Sequence, residues 1–146
     1  MLIEWNNRFS VDIPKYDSQH LRLFFIINNL HDAMEKGLGQ AALRNILDEL
    51  VEYTLIHFQE EEMSMADCRY PGLATHVQEH KKLQAEVNNF INDLNSGKSV
   101  VTGEVLGFLV KWLKDHIVQS DKKYSPFLKK HDAQKALNSV SFQKKI

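Results

Sequence analysis

The sequence holds a single cysteine, Cys68, so no intramolecular disulfide braces the fold, in keeping with a reducing compartment. No apolar run approaches the roughly 20 residues that span a bilayer. Leu23 to Ile27 and Val105 to Val110, the latter interrupted by Gly107, stand out but fall far short. Neither charge is in excess. Eighteen basic residues stand against 19 acidic ones, for a net charge of -1 and a pI of about 6.6. No global positive field is therefore expected to draw nucleic acid or an anionic membrane. The opening residues Met1 to Asn7 carry no basic stretch leading into an apolar run, so no secretory signal is read and a cytoplasmic protein is expected. Glycine and proline are sparse, at six and three residues, and strand-like alternation, repeats and low-complexity segments are absent. What remains, 146 residues with 43% hydrophobic and 25% charged, has the composition of one globular domain with one core.

Helical periodicity fills most of that length. Residues 1–16 hold Trp5, Phe9, Ile13 and Pro14 without a period and read as an extended arm packed on the body. A first helix is predicted over about 18–36, capped by Asp17 or Ser18 and ended by Gly37 and Gly39. A second runs over about 40–66, with Leu43, Leu47, Leu50, His57, Glu61 and Met65 on one stripe. A third, over about 71–95 with Pro71 in its first turn, places Leu73, His76, His80, Leu83, Val87 and Phe90 at alternating steps of three and four. The fourth, over about 103–120, carries Val105, Phe108, Leu109, Trp112 and His116. Ser125-Pro126 punctuates a tail over 121–146 with one or two short helical pieces. Each apolar stripe leaves water only by facing the others. The fold class is therefore all-α, an antiparallel up-down-up-down four-helix bundle with an N-terminal arm and a short C-terminal helix.

Seven histidines in such a chain matter through their spacing. Residues four apart on an α-helix differ by about 40° and converge on one point. His57 and Glu61 share such a face, as do His76 and His80, and both faces are apolar. His20 shares the stripe of Phe24 and Ile27. His116 and Asp121 are five apart, which an ideal helix separates by about 140°. Either a loosened last turn or a long reach by the carboxylate reconciles them. A lone histidine on an apolar face is more often a hydrogen-bonded core residue than a ligand. Five imidazoles and two carboxylates pointing inward together are another matter, because their uncompensated burial costs several kcal/mol. A metal compensates it. One tetrahedral zinc takes four ligands and favours thiolates, so these nitrogen and oxygen donors exceed it. Two six-coordinate ions, bridged by both carboxylates and a solvent oxygen, use all seven and keep one position for a small diatomic molecule.

These residues, with the phrases His57-Phe-Gln-Glu-Glu-Glu-Met, Tyr70-Pro71, Trp112-Leu-Lys-Asp-His-Ile and Asp121-Lys-Lys-Tyr, resemble the bacterial members of the hemerythrin family, the di-iron oxygen-binding proteins. The resemblance runs from Trp5 to Leu128 and departs mainly at Asp67-Cys68-Arg69. It implies two iron ions joined by an oxo or hydroxo group. His76, His80 and His116 would hold one, His20 and His57 the other, and Glu61 and Asp121 would bridge them. Phe58, Trp112, Leu113 and Ile117 would wall the oxygen pocket, Leu113 nearest the open position. It further implies reversible oxygen binding for transport, storage or delivery, without an enzymatic activity. The expected partners are dioxygen and an oxygen-consuming enzyme as delivery target, and the expected state is a monomer. The alternatives are a di-iron oxidase, peroxidase or nitric-oxide-consuming enzyme, a sensor acting through a separate partner, and a metal-storage or structural zinc or manganese bundle. His31 and Cys68 are expected to be structural and His131 exposed, while Tyr124 is placed to donate a hydrogen bond near Asp121.

Overall fold

The computed structural model describes residues 1–98 and 100–145, with the side chains of 141–145 left aside. Ser99, in the connection before the fourth helix, and Ile146, at the end of the tail, lie outside the described residues. Helices α1 (Pro14–Glu35), α2 (Gln40–Asp67), α3 (Leu73–Asn95), α4 (Gly103–His116) and α5 (Lys122–Lys145) follow one another, with no strand among the described residues. The first four form the bundle. Helix α1 packs against α2 and α4, and α2 against α3. Phe90 and Phe108 close the ring between α3 and α4 with an edge-on contact at 5.8 Å.

The arm is held by named contacts. The Asn28 side chain accepts from the Leu2 and Ile3 amides and donates to the Ile3 carbonyl. Trp5 and Phe9 then stack edge-on against Phe24 of α1 at 5.5 and 5.2 Å. Asp17, expected as a helix cap, instead accepts from the Val11 amide and the Ser10 hydroxyl and folds the arm back. Helix α1 starts earlier than the sequence suggests, at Pro14, whose fixed φ and missing N–H suit a first helical position. Helix α3 starts later, at Leu73. Pro71 belongs to the preceding turn, and Gly72 lies under the Tyr70 ring, where a Cβ would come within 2.7 Å of its atoms.

The largest departure is at the C-terminal end. After His116 the chain opens into a π-helical turn, Ile117–Asp121, and continues as a 24-residue helix that runs further than the short one expected. Pro126 does not break it. The Lys122 carbonyl, four residues back and deprived of a backbone donor by the proline, accepts from the Ser125 hydroxyl at 3.1 Å. Leu128 is buried against the bundle, and residues 129–140 beyond it are largely exposed.

Candidate metal centre

Each bundle helix delivers donors to one level of the core: His20 from α1, His57 and Glu61 from α2, His76 and His80 from α3, and His116 from α4. Asp121 comes from the π turn. All seven are buried, His20, Glu61 and Asp121 completely. They form two overlapping groups whose ligand atoms lie within 4.8 Å of one another: Glu61, His76, His80, His116 and Asp121, and His20, His57, Glu61 and Asp121. Both carboxylates belong to both groups. The Asp121 oxygens divide between them, Oδ1 at 3.2 Å from His76 Nε2 and 3.1 Å from His116 Nε2, Oδ2 at 3.1 Å from His20 Nε2. Glu61 Oε1 lies 3.2 Å from His57 Nε2 and 3.5 Å from His80 Nε2.

His80 Nε2 and His116 Nε2 face each other at 3.1 Å, but most of these atoms are close without being hydrogen-bonded. His20 Nε2, His76 Nε2, Glu61 Oε1 and both Asp121 oxygens are buried and make no hydrogen bond. Buried polar atoms are ordinarily satisfied, and each orphan costs about 1–3 kcal/mol. A cluster of orphans aimed at shared points fits metal ions, whose bonds would take up those lone pairs. The donors are imidazole nitrogens and carboxylate oxygens, a set that suits iron and offers no thiolate.

Electrostatics agree with a site built for positive charge. Burial pulls His116 down, but the Asp121 carboxylate, aided by Glu61 and Glu79, outweighs it and holds the imidazole up to about 9. Burial likewise opposes Glu61 at His57, and Glu61 prevails, so His57 is raised. His80, desolvated and crowded by His116 and His76, is pushed down to about 2. Burial alone would raise Asp121, yet its histidine neighbours, His116 foremost, hold it well below the usual carboxylate range. Tyr124 is raised by burial and by Glu61 and Asp121. It therefore stays a neutral phenol, and its hydroxyl donates to Glu61 Oε2 at 2.5 Å, to the other carboxylate than the one suggested by its position three residues after Asp121.

The surroundings are apolar. Phe58 stacks flat on His80, centroids 3.6 Å apart, and Trp112 lies nearly parallel to His116 at 4.4 Å. Phe58, Trp112 and Leu113 line a small cavity of about 40 Å³ together with Leu23, Ile27 and Leu109. Ile117 is fully buried but does not line it.

The histidines outside the site differ. His31 is partly buried on α1, and His131, expected in solvent, is also partly buried. Cys68 is a partly buried free thiol at the end of α2, pushed up by burial and so less prone to ionise.

Sequence reasoning missed the polar groups behind the imidazoles. Gln19 Oε1 lies 2.5 Å from His57 Nδ1, and Glu79 Oε2 lies 3.1 Å from His116 Nδ1. Each directly precedes a site histidine in the chain, His20 or His80, but that adjacency is no signal, since neighbours on a helix point apart.

Comparison with known proteins matches residues 11–128 to the family described as Hemerythrin HHE cation binding domain. The bacteriohemerythrin of Clostridium acetobutylicum is 33% identical over 124 residues, covering 82% of this chain and 96% of that protein. The bacteriohemerythrin of Methylococcus capsulatus is 31% identical over 128 residues, covering 87% and 97%. A crystal structure of wild-type hemerythrin superposes with a TM-score of 0.84 at 31% identity, covering 88% of this chain and 98% of that one.

Proposed function

This chain belongs to the hemerythrin family, and from that premise we propose that it binds molecular oxygen reversibly at a non-heme di-iron centre, as a cytoplasmic carrier or store. In this reading His76, His80 and His116 hold one iron and His20 and His57 the other, with Glu61 and Asp121 shared between them. The pair, when bound, supplies reversible two-electron chemistry toward oxygen. The observation that carries the reading is the inequality of the two donor groups around common carboxylates. One position has three imidazoles and the other two, so two six-coordinate ions held there would have a place for a small ligand on one side only.

The chain's own residues favour binding over turnover. Oxygen-activating di-iron bundles typically gather four glutamates and two histidines. Here five imidazoles, neutral once they ligate a metal, and only two carboxylates would give a less anionic donor set, suited to releasing oxygen with its bond intact. Phe58, Trp112 and Leu113 keep water and its protons from the site. Tyr124 directs its only proton to Glu61 Oε2, where it orients a shared carboxylate rather than serving as an acid toward a ligand.

The test is oxygen bookkeeping on the reduced, iron-loaded protein. A carrier returns one oxygen molecule per pair of irons when the pressure is lowered. Consumption of oxygen with product formation would instead assign an oxidase or peroxidase.

A further inference from the structure

We propose that Glu79 and Gln19 make the two metal positions chemically unequal. Glu79 is a positioning residue that fixes His116 and strengthens it as a donor, while Gln19 gives His57 a neutral partner. The inference rests on the two-metal reading above and adds to it which position holds its ion more firmly.

The two imidazoles are held from behind in different ways. His116 Nδ1 faces Glu79 Oε2 at 3.1 Å, and the same oxygen accepts from the Ser120 hydroxyl at 2.6 Å. One carboxylate thus ties α3 to the π turn and claims the Nδ1 proton. With the Nδ1 proton so claimed, Nε2 is left facing inward, 3.1 Å from Asp121 Oδ1, as the nitrogen that would ligate once a metal displaces its proton. Trp112, stacked on the same ring at 15°, fixes its plane. His57 Nδ1 meets instead the amide oxygen of Gln19, whose nitrogen donates to the Glu60 carboxylate, so the negative charge is one link removed. The Nδ1 atoms of His20 and His80 are buried and make no hydrogen bond, the Glu62 carboxylate standing off from His80 Nδ1 at 3.8 Å.

A carboxylate draws on an imidazole N–H more strongly than an amide does, which makes the opposite nitrogen a better ligand. The three-imidazole position therefore gains in two ways: one more ring, and a ring backed by a charge. The two-imidazole position has neither and holds its ion more loosely. Glu79 also lines a surface cleft of about 450 Å³ with Trp112, Lys82 and Lys111, and its side chain is 41% exposed. A small carboxylate from solvent can thus reach its place when the side chain is removed.

The test uses cobalt(II), which is redox-inert here and coloured according to its ligands. Full-length protein and the variants Glu79→Gln, Glu79→Ala and Gln19→Glu are loaded, and metal content, visible spectrum and release to excess chelator are followed. The wild type is expected to hold two ions and release them in two phases. Glu79→Gln, at a half-exposed position, should melt as the wild type does yet speed the slow phase about 10- to 100-fold. Gln19→Glu should slow the fast phase. Glu79→Ala should release faster still, and added formate should slow it again, which a purely structural loss would not allow. Single-phase release from the wild type, or a Glu79→Gln protein with wild-type release and spectrum, would overturn the proposal. So would a Glu79→Ala protein indifferent to formate. Uptake of fewer than two ions by the wild type would bring down the two-metal reading itself, before any variant is compared.

Discussion

His116 Nε2 lies 3.1 Å from Asp121 Oδ1 although five residues separate them, because the chain between winds as a π turn. A turn closed by i→i+5 bonds returns residue i+5 to nearly the place that i+4 occupies in an α-helix, and such turns recur at functional sites. Removing one residue from the turn should therefore restore an α-helix without moving the carboxylate off the face of His116. Deletion of the exposed Gln119 is expected to keep two metal ions per chain at an unchanged or higher melting temperature. Deletion of both Val118 and Gln119 rotates Asp121 by about 100° and should cost metal. Metal analysis of the two proteins decides it; loss of an ion from the single deletion contradicts this account of the turn.

The same turn shows where sequence reading stops. The four stripes and the pairs His57/Glu61 and His76/His80 were legible because burial and helical period act on the same residues. The five-residue step was not, since an α-helix and a π turn share one local sequence and differ only in which carbonyl each amide finds. Pro126 misleads for a related reason: the Ser125 hydroxyl satisfies the Lys122 carbonyl that the proline orphans, a compensation no propensity scale contains. Glu79 and Gln19 were invisible because each resembles any polar residue on a helix until its partner on another helix is known.

Tyr124 anchors Glu61 from a position 63 residues along the chain. With Glu61 Oε1 already unpaired, Tyr124→Phe leaves both oxygens of a buried carboxylate without a donor. The metal-free variant should lose about 1–3 kcal/mol in denaturant unfolding. Metal binding should restore part of that stability. A Phe variant as stable as the wild type without metal would show that the hydrogen bond contributes nothing.

Leu113, 7% exposed, lines the small apolar cavity beside Phe58 and Trp112. Leu113→Asn replaces apolar surface with an amide that recruits water, and water would supply the two protons with which an oxygen carrier loses its oxygen as hydrogen peroxide, the two electrons coming from the metal pair. The oxygenated protein is expected to decay several-fold faster, followed by its visible absorbance. An unchanged lifetime would remove Leu113 from the wall that keeps the site dry.

Acidity should act on the metal-free protein from both sides. His116, held up to about 9, stabilises the fold fully below the ordinary histidine value of 6.5, and that contribution is lost as pH rises through 9. His80, pushed down to about 2, resists protonation in the fold, so stability falls as pH drops below 6.5, and the depressed Asp121 adds loss in stronger acid. The melting temperature should therefore peak near pH 6.5. Metal uptake at pH 7 should also release the His116 proton, measurable in a weakly buffered titration. A flat melting profile between pH 5 and 9 would contradict both charge assignments.

X-ray absorption at the iron edge, on protein loaded with ferrous iron, addresses the paired site most directly. Seven nitrogen and oxygen donors arranged as two groups around common carboxylates predict two irons per chain, a nitrogen and oxygen shell without sulfur, and a metal–metal distance on the order of 3.5–4 Å. One iron per chain, or two without a metal–metal shell, would contradict it.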